Sequence, residues 1–174
     1  MPPTMNERLD EAYERYGVVA AELQRGKIDY FHAQKLFQSP IEVAMAEALL
    51  IMETGYGWEF DGLIDVFEDF RDGDRVIVQI VPQKAVGPYK VDLAVRVRDA
   101  NDQYHFIAVE CDGHDFHEKT KLQAAHDKKR DRYLQSQGYK VYRFAGSEIF
   151  ADPKKCADEV GQAVSDAVWK RKRA

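Results

Sequence analysis

Asp92 and Glu110 carry carboxylates into two apolar runs that read as β-strands, Val91-Asp92-Leu93 and Val109-Glu110-Cys111-Asp112. Asp is depleted from strands, so Asp92 in a Val-rich one calls for a reason. The segment Asp99–Gln103 between the runs is short enough to join them as an antiparallel hairpin. If Arg98 pairs with Tyr104, paired numbers sum to 202, which sets Asp92 opposite Glu110 and Lys90 opposite Asp112. Directly opposed side chains share one face with Cβ atoms ~4.5–5.5 Å apart, and two carboxylates there repel. A divalent cation reverses that penalty. Oxygen ligands at this separation suit Mg²⁺, with Mn²⁺ as substitute, bridging carboxylates, water and a phosphate. A one-residue slip would turn Asp92 away, so the expectation hangs on the turn.

Other reactive groups lie nearby. Cys111-x2-His114-x2-His117, with His126 as a fourth member, has the residue types of a zinc site, but its spacing matches no common structural one. His126 shares a helical phase with Leu122 and Tyr133, which favours a packed histidine. Glu42 stands third after Ser39 in Ser39-Pro40-Ile41-Glu42, where a capping-box Glu belongs. At about 100° from Ile41 it also flanks the apolar helix face, whereas Glu47 at about 240° faces water. Asp127 lies at helical spacing from Arg130 and Asp131, which suits a surface ion pair as well as a site acid. Asp92 has its own bland reading, a salt bridge to Lys90 or Arg96.

Five helices and four strands are expected to position these groups. A first amphipathic helix runs from Met5 to about Arg25, with Gly26 as its end. The second opens at the Ser39 cap and runs to about Glu53 with Ile41, Met45, Ala48, Leu49 and Met52 inward. A short helix over Gly62–Phe70 precedes strands at Val76–Val81, Tyr89–Arg98 and Tyr104–Cys111. A basic helix, Phe116–Gln137, ends at Gly138 and leads to a strand at Tyr139–Phe144. A last helix starts at Asp152-Pro153 and ends in the basic Lys170–Arg173. The fold class is therefore α/β in the broad sense (α+β). Its αβββαβ core carries a mixed four-stranded sheet flanked by helices. A helical extension over 1–38, a core over 39–150 and a C-terminal helix with basic tail over 151–174 make one structural domain.

Composition bounds the function. Of 174 residues, 45% are hydrophobic and 32% charged, too apolar for a largely disordered chain. A net charge of −5 argues against a nonspecific nucleic-acid coat, so polyanion contacts must be local. There is no run of ~18 apolar residues, Met1–Asp10 lacks a signal-peptide core, and two cysteines make no disulfide framework. The expectation is a soluble cytoplasmic protein, with no membrane partner and no signal for oligomeric state.

The order of these elements and motifs resembles the PD-(D/E)XK nuclease superfamily, with its restriction-endonuclease-like fold. Within it the chain is most similar to the Vsr-like group of very-short-patch-repair and EDxHD homing endonucleases. The matching text is Ser39-Pro40-Ile41-Glu42, Val91-Asp92-Leu93, Val109 to His117 (VECDGHDFH), Asp127 with Arg130, and Gly138 to Phe144 (GYKVYRF). The resemblance implies that Glu42 is the helix acid, Asp92 and Glu110 hold the metal, His117 and Asp127 complete the catalytic set, and Arg130 is accessory. Asp112 stands where the superfamily often has Lys. The Vsr-like pattern uses His and acids in place of that Lys, and Lys90 is a candidate migrated Lys.

Charge distribution points the same way. Between residues 41 and 75 there are ten acids and two bases, while between 117 and 143 there are three acids and eight bases. Lys119, Lys121, Lys128, Lys129 and Arg132 would position a nucleic-acid backbone while the acids hold Mg²⁺ at one phosphate. The reading is a metal-dependent DNA endonuclease. Its alternatives are a catalytically inactive nuclease-fold module that binds nucleic acid or a protein partner, and an RNA-cleaving effector.

Overall fold

The computed structural model describes residues 26, 28–51, 59–63, 77–99, 101–113 and 121–169. The expected helix over residues 5–25 and the basic tail from residue 170 lie outside them. Gly26 is helical, as are residues 28–33 (α1), so Gly26 does not end a helix as expected. Ile28 and Phe31 bury in the core, and that packing outweighs the ~1 kcal/mol penalty of a helical glycine. The chain continues through α2 (Pro40–Ile51), β1 (Glu59–Leu63), β2 (Ile77–Val86), β3 (Tyr89–Arg98) and β4 (Tyr104–Asp112). It then forms α3 (Lys121–Ser136), β5 (Tyr139–Ala145), α4 (Gly146–Ala151) and α5 (Pro153–Trp169).

The sheet order is β1-β2-β3-β4-β5. The central pairs β2/β3 and β3/β4 are antiparallel, and the flanking pairs β1/β2 and β4/β5 are parallel. The four expected strands thus form a mixed sheet flanked by helices in the α+β class, and β1 adds a fifth strand at one edge. Gly62 and Leu63, expected to start a short helix, belong to this strand; the rest of that helix lies outside the described residues. Leu63 pairs with Ile80 of β2, and short apolar runs take whichever period their neighbours impose.

Two turns set the registers that matter. Gly87 and Pro88 alone join Val86 to Tyr89, and Gly87 has φ 56°. A Cβ there would also run into the far end of the Tyr133 side chain of α3, which would have to move, so the positive φ calls for glycine and the close approach adds to it. Between β3 and β4 the pairs run from Arg98↔Tyr104 to Leu93↔Val109, the expected sum of 202. Buried Asp99 organises this turn by accepting the N–H groups of Asn101 (2.8 Å) and Gln103 (3.0 Å) and meeting His105 Nε2 at 2.9 Å. Burial alone would raise its pKa, but these hydrogen bonds, that of His105 foremost, bring it below the ordinary 3.8.

Asp99→Ala is accordingly expected to destabilise the protein by ~1–3 kcal/mol in urea unfolding at pH 7. Because the folded-state pKa is depressed, Asp99 contributes fully above its unfolded value and loses that contribution as pH falls through the folded one. The gap between mutant and wild type should therefore narrow toward pH 3. A gap independent of pH would assign the loss to packing.

The larger core cluster joins Ile28, Phe31, Met45 and Leu49 to Ile80, Leu93, Val95 and Val97 of the sheet and Val160 and Val164 of α5. A smaller cluster (Val91, Ala94, Ala108, Leu134, Tyr139) includes the one fully buried residue of α3, Leu134. Much of α3 is thus left to polar and charged side chains. No helix among the described residues is long and apolar enough to cross a membrane.

Candidate active site

The site grows from an irregularity in the sheet. Leu93 packs in the larger cluster and Val91 in the smaller, although residues two apart on a regular strand share a face. Asp92 sits at this break. The β2/β3 ladder passes from Pro82↔Leu93 to Lys84↔Val91, skipping Gln83 and Asp92, and Gln83 has φ 52°. On the other side, β3/β4 pairing ends at Leu93↔Val109, and the next link is made by a side chain, as Cys111 N–H donates to Asp92 Oδ2 at 2.8 Å. The register thus carries Asp92 and Glu110 to the same end of the sheet, one step beyond the last backbone pair.

Glu42 reaches this end from the first turn of α2. Its carboxylate accepts from the Ser39 hydroxyl (3.0 Å) and Gln38 N–H (2.9 Å), and its own N–H donates to Ser39 Oγ (3.4 Å). The capping reading therefore holds, and the helical phase is as expected in that Glu42 is 4% exposed, whereas Glu47 is only partly buried. Gln83 Nε2 donates to Glu42 Oε2 at 3.0 Å and to Asp92 Oδ1 at 3.3 Å, joining the two acids. Sequence reasoning passed over Gln83. The signal was available, because a two-residue turn at Gly87-Pro88 makes paired numbers sum to 175 and sets Gln83 opposite Asp92.

Glu110 is 1% exposed. The Arg130 guanidinium, from α3, lies 2.5 Å from its Oε2 and also donates to the Lys90 carbonyl, while Oε1 has no hydrogen-bond partner among the described residues. Burial foremost, then the charge of Asp92, pushes the Glu110 pKa up to about 8 against the pull of Arg130 and Arg143. Burial also raises Asp92, despite the Cys111 N–H and Arg130, and raises Glu42, with Asp92 adding to the effect. All three shifts come from burial first, with mutual repulsion adding to it, as for carboxylates gathered out of water.

The neighbourhood differs from expectation at Asp112 and Lys90. Arg143 of β5 bridges Asp112 (2.8 Å) and Asp131 of α3 (2.7 Å), because the parallel register sets Arg143 beside Glu110. The Lys90 side chain is exposed, and the residue meets Arg130 through its carbonyl. Arg96, offered as an ion-pair partner for Asp92, donates to Gln79 at 2.6 Å. Asp127 is half-buried on α3, three residues before Arg130. His126 is exposed with its ring edge-on to Tyr89 at 5.9 Å, and Leu122 of the same helical phase is 83% exposed, so this face of α3 lies at the surface and is not packed as expected. Lys121, Lys128, Lys129 and Arg132 are exposed along α3. His114, His117 and Lys119 lie outside the described residues.

The donor set fits a hard divalent cation better than zinc. Cys111 is buried in the apolar cluster, and burial pushes its thiol pKa up, away from the thiolate that zinc requires. Among the described residues no group of three His, Cys, Asp or Glu side chains could hold a metal ion. Mg²⁺ needs less from protein, usually one or two carboxylates completed by water and substrate phosphate. Asp92 and Glu110 supply two carboxylates, and the unpartnered Glu110 Oε1 is a buried acceptor of the kind a cation satisfies.

One family model, REase_MTES_1575, describing a restriction-endonuclease-like family, matches residues 66–164, more than half of the chain. The match takes in Asp92, Glu110, Asp112, Asp127 and Arg130 and leaves out α2 with Glu42. No curated protein and no solved structure gave a match.

Proposed function

The chain belongs to the restriction-endonuclease-like family REase_MTES_1575, and on that premise we propose a metal-dependent endonuclease of Vsr-like type that hydrolyses phosphodiester bonds in DNA. The observation that supports it most is the convergence of Glu42, Asp92 and Glu110 at one sheet end, next to Arg130 on the basic helix α3. Asp92 and Glu110 would hold Mg²⁺ or Mn²⁺, which when bound polarises the phosphate and lowers the pKa of the attacking water. His117 takes up the proton of that water, since imidazole titrates near neutral pH, with Glu42 as a second acceptor and Asp127 completing the set. Lys119, Lys121, Lys128, Lys129 and Arg132 hold the flanking backbone phosphates. A cytoplasmic location, with Cys111 and Cys156 as free thiols, belongs to the same reading.

Purified protein incubated with supercoiled, linear, mismatched and single-stranded DNA, and with RNA, each with Mg²⁺, Mn²⁺ or EDTA, tests the proposal. Cleavage of DNA that EDTA abolishes supports it, and preference for a mismatch supports the Vsr-like type. The second reading, an inactive nuclease fold, is favoured by Arg130 on Glu110 and by Asp112 engaged with Arg143. It predicts nucleic-acid binding without cleavage under any metal.

The helix makes a separate prediction. Reversing the charges of Lys128, Lys129 and Arg132 together is expected to weaken DNA binding and flatten the plot of log affinity against log salt. The slope should fall by ~0.9 for each phosphate that the variant no longer neutralises. An unchanged slope would show that the exposed face of α3 is solvated and nothing more.

A further inference from the structure

Gln83 has a place in the site that neither the family motifs nor its own chemistry as an acid, base or ligand accounts for. We infer that Gln83 is a positioning residue that ties Glu42 to Asp92 and orients the Asp92 carboxylate for a divalent cation, an inference that rests on the metal-dependent reading above. Its amide nitrogen has two hydrogens and both acids accept, Glu42 Oε2 at 3.0 Å and Asp92 Oδ1 at 3.3 Å. The other end of the amide is fixed as well, because Gln38 Nε2 donates to Gln83 Oε1 at 2.9 Å. The sense of the amide therefore follows from the network, since a flipped group would set its oxygen against two carboxylates. With Oδ2 held by the Cys111 N–H and Oδ1 by Gln83, both Asp92 oxygens have a defined direction.

Neutrality is what makes glutamine apt here. A Lys or Arg bridging the same acids would supply positive charge and compete with a cation, whereas an amide orients both carboxylates and leaves their negative charge in place. The backbone points to the same conclusion. Gln83 is held at φ 52° within a strand, a conformation costing an L-residue ~1–2 kcal/mol, at the step the β2/β3 ladder skips. Strain of this kind persists where surrounding contacts over-determine it, and the contacts in question are those to the site acids.

The test compares Mn²⁺ binding by calorimetry and thermal stability for the full chain and its variants Gln83→Met, Gln83→Gly and Asp92→Asn. Met keeps the length and removes the donors. Gly removes the donors and also relieves the left-handed backbone. Both Gln83 variants are expected to bind Mn²⁺ 10–100-fold more weakly, the usual consequence of losing a group that orients a ligand, with Gln83→Gly at least as stable as Gln83→Met. If wild type binds Mn²⁺, Asp92→Asn does not, and both Gln83 variants bind like wild type, the Gln83 inference is overturned and the metal reading stands. If both variants lose stability in proportion to affinity, Gly no less than Met, the role is structural and the inference is again overturned. A wild type that does not bind Mn²⁺ removes the metal reading and this inference with it.

Discussion

Asp92→Asn is expected to abolish Mg²⁺-dependent cleavage while leaving the metal-free protein as stable as wild type or more so. The amide keeps the shape of the carboxylate, and its oxygen can still accept the Cys111 N–H that Asp92 Oδ2 accepts at 2.8 Å, while its NH2 then faces Gln83 Nε2 and gives up the 3.3 Å bond that Asp92 Oδ1 accepts. What it removes is a negative charge beside buried Glu110 and Glu42, whose pKa values Asp92 helps to raise. Relief of that repulsion offsets the weaker bond from Cys111 and the lost bond from Gln83. The cation response should vanish at the same time. A ligand that binds only the folded state stabilises it by about 2.7 kcal/mol at a hundredfold excess over its Kd, and each kcal/mol moves the Tm of a chain this size by roughly 2–4 °C. Wild type should thus gain several degrees in millimolar Mg²⁺ and Asp92→Asn close to none, in thermal unfolding run beside a plasmid-nicking assay. A less stable mutant together with a wild type indifferent to Mg²⁺ would return Asp92 to a purely structural role.

The parts of this site that the sequence makes legible are those set by local chemistry. Ser39-Pro40-x-Glu42 announces the start of α2, and the short segment Asp99–Gln103 dictates the β3/β4 register that brings Asp92 and Glu110 together. Features that depend on distant partners are not legible in this way. β1 is a strand because β2 offers it a parallel edge, and Asp112 pairs with Arg143 because β5 returns beside β4 after a helical crossover. The six-residue α4 is too short to show a helical period; its start is held by Glu148, which accepts the Ala145 N–H at 2.8 Å. Gln83 is an intermediate case. A strand ending at Val81, before Pro82, hides it, since proline is rarely tolerated inside a sheet. Pro82 is accommodated because β1 pairing ends at Leu63↔Ile80, leaving that edge of β2 without a described strand partner.

Arg130→Met should have the opposite sign to Asp92→Asn. The methionine keeps much of the aliphatic stem but withdraws the guanidinium lying 2.5 Å from Glu110 Oε2, so a buried carboxylate keeps its repulsion from Asp92 and retains only the weaker pull of Arg143. With Glu110 ionised, breaking a buried pair by removing one partner costs up to ~3–5 kcal/mol, on the order of 10 °C in Tm at this chain length. That cost depends on pH in a defined direction. Burial and Asp92 already push Glu110 from 4.5 up to about 8, and loss of Arg130 pushes it further up. A carboxyl with a raised folded-state pKa favours folding while protonated and loses that contribution as pH rises through the folded value. The deficit of Arg130→Met should accordingly be small up to about pH 7, where Glu110 is protonated in both proteins, and should grow above about pH 8 by up to ~1.4 kcal/mol per pH unit. Mg²⁺ should stabilise this variant more than wild type, because a cation then replaces the missing counter-charge instead of competing with it. In an Asp92→Asn background the deficit should shrink, since Glu110 has lost its repulsive neighbour, and the two substitutions should fail to add by ~0.5–3 kcal/mol, as for residues sharing one network. A deficit that is constant with pH, indifferent to Mg²⁺ and additive with Asp92→Asn would mean that Arg130 does no more than pack α3 against the sheet.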